Sequence, residues 1–239
     1  MRLSFIIPAY NEERYIGKCL ASILGELRRG GSRDVEIIVV DNAATDRTAE
    51  IAKTYPGVRV VSEPQKGLTY ARQRGLLEAR GVLLAYLDAD THLPPHWLSF
   101  IEPTFRDPNI VCLSGPYRYY DLTGWRKSFA EATWWLVAPL TYRLVGYMVL
   151  GGNFVARRDA LSAMGGFDTS IRFYGEDTNI AWRLAKMGRV VFRMDFFALT
   201  SGRRLLREWI FTLWWIYGIN YLWGALFHRP FTHDYRDIR

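Results

Sequence analysis

The sequence predicts an α/β fold in which a mostly parallel sheet is flanked by helices, and three observations support this prediction. Short β-branched runs alternate with helical stretches through the first half of the chain, beginning with a strand at Leu3–Ile7. The second run, Glu36–Val40, is almost continuously apolar, as expected of a strand buried on both faces. A repeated strand–helix–strand order implies parallel strands joined by right-handed crossovers.

The other elements of this half continue the alternation. A helix-start signal at Asn11 follows the first strand, with acidic residues in the favoured first turn. We then expect, in chain order, a helix from about Arg47 to Tyr55, a strand at Val58–Val61, a helix at Leu68–Arg80 and a strand at Val82–Leu87. Beyond residue 115 the alternation weakens, and a helix opens at Glu176 and extends to about Met187.

The composition limits the class of protein. A chain of 239 residues with 49% hydrophobic and 23% charged residues forms a sizeable globular domain, not a disordered one. The net charge of +7 suits phosphates of nucleotides, anionic lipid or nucleic acid, so charge alone does not choose a partner. Two cysteines without metal-ligand spacing, and an N-terminal apolar run too short for a signal peptide, predict a cytoplasmic protein.

Polar residues follow each predicted strand, where parallel sheets bind their ligands. These positions hold Pro8–Glu12, Asp41–Asp46, Glu63 and Asp88–Asp90. Asp88 and Asp90 are two residues apart in an extended chain, so both carboxylates can face one point. Hard oxygen ligands suit Mg²⁺ or Mn²⁺, which would neutralise a departing diphosphate. Aspartate is also common in turns that end strands, so this pair alone does not define a metal site.

Other polar residues allow both a structural and a functional interpretation. Glu176 and Asp177 favour a helix N-terminus by about 0.3–1 kcal/mol, and either carboxylate could also serve as a general base. Asp41 either forms a turn or accepts a hydrogen bond from a base or ribose. Lys66 and Arg72, at the start of the third helix, suit an anionic ligand or ordinary solvation.

Six motifs in order resemble those of family 2 glycosyltransferases with a GT-A fold, over about residues 2–194. They are Phe5-Ile6-Ile7-Pro8-Ala9-Tyr10-Asn11-Glu12, Val40-Asp41-Asn42-Ala43-Ala44-Thr45-Asp46, Lys66-Gly67 with Ala71-Arg72, Asp88-Ala89-Asp90, Gly151-Gly152-Asn153 and Gly175-Glu176-Asp177. No Gln-x-x-Arg-Trp segment, which processive relatives carry, follows them, so polymer synthesis is disfavoured.

This resemblance implies an inverting transfer from a nucleotide diphosphate sugar, with uridine as the expected base, and assigns a role to each motif residue. Residues expected to bind the nucleotide sugar are Pro8, Ala9, Tyr10, Glu12, Asp41, Lys66, Arg72 and Asp88. Asp90, together with Asp88, would hold Mn²⁺ or Mg²⁺, and Asp177 would be the catalytic base. Gly152, Asn153 and Glu176 would line the donor and acceptor pocket.

We expect a catalytic domain at residues 1–200 and a tail at 201–239. Residues 209–227 are uncharged and aromatic, and follow the basic residues Arg203, Arg204 and Arg207. The pattern favours a helix at the cytoplasmic face of a membrane, assisted by Trp134–Val149. Packing on the catalytic domain, or a contact in a homodimer, would bury the same stretch, and a single spanning helix is the least favoured alternative.

The acceptor is expected to be a hydroxyl, on a lipid or a lipid-linked saccharide. A polyprenyl-phosphate sugar synthase is the alternative within the enzymes, although its phosphate acceptor needs no base. A sugar-phosphate nucleotidyltransferase should carry a Gly-rich basic loop after the first strand, where this chain has Pro8–Glu13. A basic membrane or nucleic-acid binding module without catalysis is the alternative of another class, and the acidic strand ends argue against nucleic acid.

Overall fold

The computed structural model describes residues 2–30, 34–171, 175–207 and 223–224. Its strands are β1 (Leu3–Ala9), β2 (Val35–Asp41), β3 (Val58–Ser62), β4 (Leu83–Leu87), β5 (Ile110–Ser114), β6 (Tyr117–Tyr119), β7 (Asn153–Arg157), β8 (Arg189–Phe192) and β9 (Ala198–Thr200). Its helices are α1 (Ile16–Gly30), α2 (Thr48–Lys53), α3 (Leu68–Glu78), α4 (Ile101–Phe105), α5 (Gly124–Val145), α6 (Arg158–Ala163), α7 (Glu176–Ala185) and α8 (Arg203–Arg207). A 3₁₀ turn at Trp97–Phe100 precedes α4.

Seven strands form the main sheet in the order β3-β2-β1-β4-β7-β5-β8, and β6 and β9 form a small parallel pair. Every neighbouring pair of the main sheet is parallel except the two pairs made by β7, which runs antiparallel to β4 and β5. The predicted mostly parallel α/β sheet is therefore confirmed. The reversed strand has a consequence for the site, because β7 begins at the edge where β4 ends and Asn153 pairs with Leu87.

The sheet separates two apolar cores, as the alternation of side chains along β1 shows. Phe5 and Ile7 pack with α1 on one face, where the buried helix residues include Leu20. Ile6 points to the other face, where it packs with Ala71 of α3 and with residues of α6 and α7. Helices on both faces are what a buried parallel sheet requires. The rigid layers leave the polar ends of the strands as the ligand-facing edge.

The first helix begins later than the sequence predicts. We expected a start at Asn11, but α1 begins at Ile16. Asn11 adopts a left-handed conformation with φ of 53°, and its side-chain oxygen accepts a hydrogen bond from the Thr45 N–H at 2.8 Å. The amide of Glu12 donates to the Thr48 hydroxyl at 2.8 Å. Bonds to the neighbouring loop thus replace the helix cap that Asn11 was expected to supply.

Within the described ranges, no helix has the length and hydropathy needed to cross a bilayer. The prediction of an interfacial helix at residues 209–227 falls almost wholly outside the described residues, so it stays a prediction. The aromatic stretch at Trp134–Val149 lies mainly in α5, a helix of 22 residues.

Candidate active site

The predicted site residues meet at one edge of the main sheet. β1, β2 and β4 end there, and β7 begins there because it runs the other way. Asp88 and Asp90 follow β4, and Glu176 and Asp177 form the first turn of α7. Gly175, which precedes α7, has a φ of 81°, a conformation that favours glycine.

A buried arginine joins three of the predicted acids. The side chain of Arg72 on α3 is only 2% exposed, and its Nη1 atom forms an ion pair with Glu176 and lies 3.6 Å from Asp177 Oδ1. Its Nη2 atom lies 3.4 Å from Asp88 Oδ1. One guanidinium therefore fixes the carboxylate after β4 relative to the two carboxylates that open α7. We refer to these four residues as the Arg72 cluster.

The two acids of α7 differ in environment. Glu176 is buried, and burial raises its pKa well above the usual range although Arg72 opposes the shift. The side chain of Asp177 is 42% exposed, so it can reach a ligand at the edge. This difference favours Asp177 over Glu176 as the group that meets an acceptor, because a base must be accessible and Glu176 is buried with a raised pKa.

Two glycines before β7 let the backbone pass close to these side chains. A Cβ atom on Gly151 would lie 2.3 Å from both Arg72 Nη2 and Asp177 Oδ1, and one on Gly152 would lie 2.2 Å from Asp88 Oδ2. The Gly152 N–H donates to the hydroxyl of Tyr117 at 2.8 Å. Burial, with Asp88 adding to it, raises the pKa of Tyr117 well above its usual range. The hydroxyl therefore stays neutral and holds the glycine loop against the cluster.

A second cluster surrounds Asp90 and contains an arginine from α8. Arg203 of α8 pairs with Glu12 through two hydrogen bonds, Nη1 to Oε2 at 2.9 Å and Nη2 to Oε1 at 2.6 Å. The same Nη2 atom lies 3.0 Å from Asp90 Oδ2. The guanidinium also lies over the ring of Tyr15. We refer to Glu12, Asp90 and Arg203 as the Arg203 bridge.

The bridge differs from two sequence expectations. Arg203 was grouped with basic residues that would face anionic lipid, but its side chain is only 19% exposed and points into the site. Glu12 was expected to cradle the nucleotide, yet it is 2% exposed and both of its oxygens bind Arg203. The physical reason is the same in both cases, because a buried carboxylate needs a paired cation.

The edge beyond β1 and β2 holds the other residues that were predicted to bind the nucleotide. Pro8 and Ala9 are buried at the end of β1, and Ala9 pairs with Asp41 across the sheet. Asp41 Oδ1 accepts the Ala44 N–H at 3.1 Å and so shapes the loop after β2. The Lys66 ammonium lies 3.9 Å from the centre of the Tyr10 ring. This edge thus presents an aromatic face, a cation and a carboxylate.

Asn153 was expected to line the donor and acceptor pocket, and the structure places its side chain in the core beside that edge. The residue is fully buried, its Nδ2 donates to the carbonyls of Phe196 at 2.9 Å and Gly115 at 3.1 Å, and its Oδ1 accepts from the indole of Trp97 at 3.0 Å. These hydrogen bonds engage both the nitrogen and the oxygen of the side-chain amide. Asn153 therefore ties the turn between β5 and β6 to the turn between β8 and β9, while Gly152 lies at the site itself.

The acidic side chains fit a divalent cation, although no group of three or more His, Cys, Asp or Glu side chains in the described ranges is arranged to hold one. In the Arg72 cluster and the Arg203 bridge together, carboxyl groups outnumber guanidinium groups five to two. A diphosphate would be repelled by that excess without an added cation. Protein sites for Mg²⁺ or Mn²⁺ that bind phosphate-containing substrates use one or two carboxylates, and the metal completes its coordination shell with phosphate oxygens and water. Asp88 and Asp90 can supply that pair.

The fold and the site define an α/β protein with a cluster of acidic side chains at the edge where β1, β2 and β4 end. The chain belongs to glycosyl transferase family 2, whose model matches residues 4–165. The resemblance noted in the sequence is thereby confirmed, and the GT-A fold is shared with solved structures of glycosyltransferases.

Three similar proteins illustrate the relationship. The uncharacterized glycosyltransferase EpsJ of Bacillus subtilis is 36% identical over 95 residues, which are 38% of this chain and 26% of that protein. The mannosyltransferase PcManGT of Pyrobaculum calidifontis, solved with GDP-mannose and Mn²⁺, has a TM-score of 0.69 and 23% identity. The match covers 94% of this chain and 62% of that one.

The third is the glucosyl-3-phosphoglycerate synthase of Mycobacterium tuberculosis, solved with Mn²⁺, UDP and phosphoglyceric acid. It has a TM-score of 0.64 and 22% identity, and the match covers 98% of this chain and 80% of that one. These likenesses show the fold. The chain spans only about a quarter of the curated relative named above, at 26% of its length.

Proposed function

We propose that the protein is an inverting glycosyltransferase that moves a sugar from a nucleotide diphosphate sugar, a UDP-sugar, to an acceptor hydroxyl. The observation that carries the proposal is the Arg72 cluster, in which one buried guanidinium holds Asp88 and Asp177 in fixed relation. Asp88 follows the strand where the donor binds, and Asp177 is the exposed acid of α7. Such fixed geometry is what a single displacement between donor and acceptor requires.

The proposed roles follow from exposure and charge. Asp41, Tyr10 and Lys66 lie at the open edge and would receive the base, the ribose and a phosphate. Asp177 would take the proton from the acceptor hydroxyl as its oxygen attacks the anomeric carbon. The bond from that carbon to the diphosphate oxygen then breaks, and the electron pair leaves with UDP. A single attack from the opposite face inverts the anomeric carbon.

A divalent cation, Mn²⁺ or Mg²⁺, held by Asp88 and Asp90 would neutralise the charge that develops on the leaving diphosphate. The support is the excess of carboxyl groups at this edge and the Mn²⁺ present in the solved structures of two similar proteins. The protein itself contributes position, because Asp90 is buried and 3.5 Å from the Thr200 hydroxyl on β9.

Calorimetric titration with UDP, with and without Mn²⁺, tests the donor and the metal together. We expect binding that depends on Mn²⁺ in the native protein and loss of that dependence in Asp90→Ala, because the variant lacks an oxygen ligand. Asp34→Ala is the matched control, since Asp34 is a surface acid with a side chain that is 65% exposed. Unchanged metal-dependent affinity in Asp90→Ala would contradict the assignment. Release of UDP from UDP-sugars, followed with candidate acceptors, then identifies the reaction.

We further propose that the acceptor is reached at a membrane surface, and that α5 faces the bilayer. Leu136, Leu140 and Leu144 form one stripe at helical spacing and are 74%, 59% and 77% exposed. Exposed cations, Lys127 and Arg143, lie on the same helix. An apolar stripe with Arg143 beside Leu144 suits an anionic lipid surface, as does the net charge of +7.

Replacing Leu136, Leu140 and Leu144 with glutamine should reduce co-sedimentation with anionic liposomes, because the apolar area that enters the bilayer is lost. The double variant Leu77→Gln/Val82→Gln is the control, since these exposed apolar residues lie outside α5 and should leave binding unchanged. Should the native protein remain in the supernatant and run as a dimer that the triple variant dissociates, the stripe is a contact between two copies and the membrane proposal fails.

A further inference from the structure

The Arg203 bridge places a fixed positive charge against the carboxylate that is proposed to bind the metal. Arg203 Nη2 lies 3.0 Å from Asp90 Oδ2 and 2.6 Å from Glu12 Oε1. All three side chains are largely buried, with Glu12 3%, Asp90 11% and Arg203 19% exposed. Charged groups this close in a partly dry site interact strongly, so the bridge affects every other cation that approaches Asp90.

The bridge neutralises the buried carboxylates of Glu12 and Asp90 before any ligand binds. Two buried carboxylates without a cation would be costly, and Arg203 supplies one positive charge for both. A divalent cation bound to Asp90 would meet the same need. Its presence beside an unmoved guanidinium would put like charges next to each other. Arg203 and a bound cation would therefore each neutralise the Asp90 carboxylate, and each would disfavour the presence of the other.

We propose that Arg203 and the divalent cation compete for Asp90, so that Arg203 weakens metal binding in the free protein and makes it depend on the nucleotide. This inference rests on the proposed metal-dependent function. If Asp90 bound a cation instead, the Nη2 donor of Arg203 would lose one partner and would keep its contact with Glu12. The released N–H group then faces the site and can bind an anionic diphosphate oxygen. Arg203 is thus a positioning residue that couples metal binding to diphosphate binding.

The location of Arg203 links the Asp90 carboxylate to α8. It is the first residue of α8, and it lies 191 residues from Glu12 in the sequence. The backbone of α8 is also held by Arg126 of α5, whose Nη1 donates to the Leu205 carbonyl at 3.3 Å. Asp90 is therefore connected by side-chain contacts to α8, and α8 is connected through Arg126 to the helix that carries the exposed leucine stripe.

Direct measurement of Mn²⁺ binding by the electron paramagnetic resonance signal of the free ion tests the competition without any turnover. In Arg203→Gln, we expect the affinity for Mn²⁺ without nucleotide to rise about tenfold, and the factor by which UDP strengthens Mn²⁺ binding to fall by a similar amount, within the usual range of coupling. Arg203→Lys keeps the positive charge and should lie between the native protein and Arg203→Gln. Arg106→Gln is the control for loss of a surface charge, since the side chain of Arg106 is 74% exposed.

The outcomes separate this inference from the proposed function. If the native protein binds Mn²⁺ with UDP but Arg203→Gln binds it equally or more weakly, the competition is wrong and the metal-dependent function stands. An equal gain in Arg106→Gln also overturns the competition. If the native protein binds no Mn²⁺ with or without UDP, the metal assignment fails and the competition fails with it. If Arg203→Gln folds poorly, thermal unfolding with and without Mn²⁺ gives a second measurement. The competition predicts that Mn²⁺ raises the unfolding temperature of Arg203→Gln more than that of the native protein.

Discussion

Asp177→Asn should lower turnover by about 10²-fold or more while leaving UDP affinity nearly unchanged. The substitution keeps the shape of the side chain and removes its ability to accept a proton, and general-base catalysis typically contributes 10²–10⁴-fold. Turnover is measured under saturating donor and acceptor, where the chemical step limits the rate, and UDP affinity is measured by calorimetry with Mn²⁺. A large drop in turnover with intact binding assigns the proton transfer to Asp177.

The competing interpretation is that Asp177 only stabilises the start of α7. Asp159 provides the matched control, because it is an exposed acid in the first turn of α6. A helix-end acid contributes about 0.3–1 kcal/mol to stability in either position. If Asp177→Asn and Asp159→Asn both lose a little stability and both keep native turnover, the base is another group.

The sheet and the identity of the acids at its edge were predictable because they leave local patterns. Apolar runs alternate with helices, and Asp88-Ala89-Asp90 follows one of the runs directly. The sequence marked Arg72 as a candidate ligand-binding residue. It did not indicate that the Arg72 guanidinium contacts Asp88, Glu176 and Asp177. That contact depends on α3 packing against the sheet beside α7, which only the folded chain brings about.

The Arg203 bridge could not be predicted either, because its contacts also exist only in the folded chain. Its partners are 191 residues apart, and neither Glu12 nor Arg203 carries a local signal for the other. Tyr117 was missed because a tyrosine in an aromatic-rich chain has no distinguishing spacing. The one available signal was charge, since buried acids such as Glu12 and Asp90 require a cation from somewhere in the chain.

Local signals also failed where a side chain found a tertiary partner. Asn11 has the chemistry of a helix cap, but its oxygen accepts the Thr45 N–H, and the helix begins at Ile16. Asn153 has the chemistry of a ligand-binding amide, but its hydrogen bonds are made to Trp97 and to backbone carbonyls. Short polar side chains bond to whichever group lies nearest, so their role is decided by packing.

Arg72→Met should lower the free energy of unfolding by about 3–5 kcal/mol, the usual cost of removing one partner from a buried ion pair. Arg72 is almost fully buried, and the loss would leave Glu176 without its cation. Denaturant unfolding monitored by circular dichroism gives the value. Arg59→Met is the control, because Arg59 pairs with Glu78 and Glu36 at 38% exposure and should cost about 1 kcal/mol or less.

The pH dependence of the same variant identifies the group responsible. Burial raises the pKa of Glu176 and Arg72 lowers it, so removing Arg72 raises the folded-state pKa further. A carboxyl whose pKa is raised on folding binds more protons in the folded than in the unfolded state, so stability falls as the pH rises above the unfolded value of 4.5. In the native protein the pKa of Glu176 is itself raised well above 4.5, so the gap between native protein and Arg72→Met should widen only once the pH passes that raised value, where the variant alone still binds the extra proton. Adding Glu176→Gln to the variant should remove most of that widening, because glutamine does not titrate. A gap that is constant with pH in both variants would show that the lost stability comes from packing around Arg72 and not from the charge of Glu176.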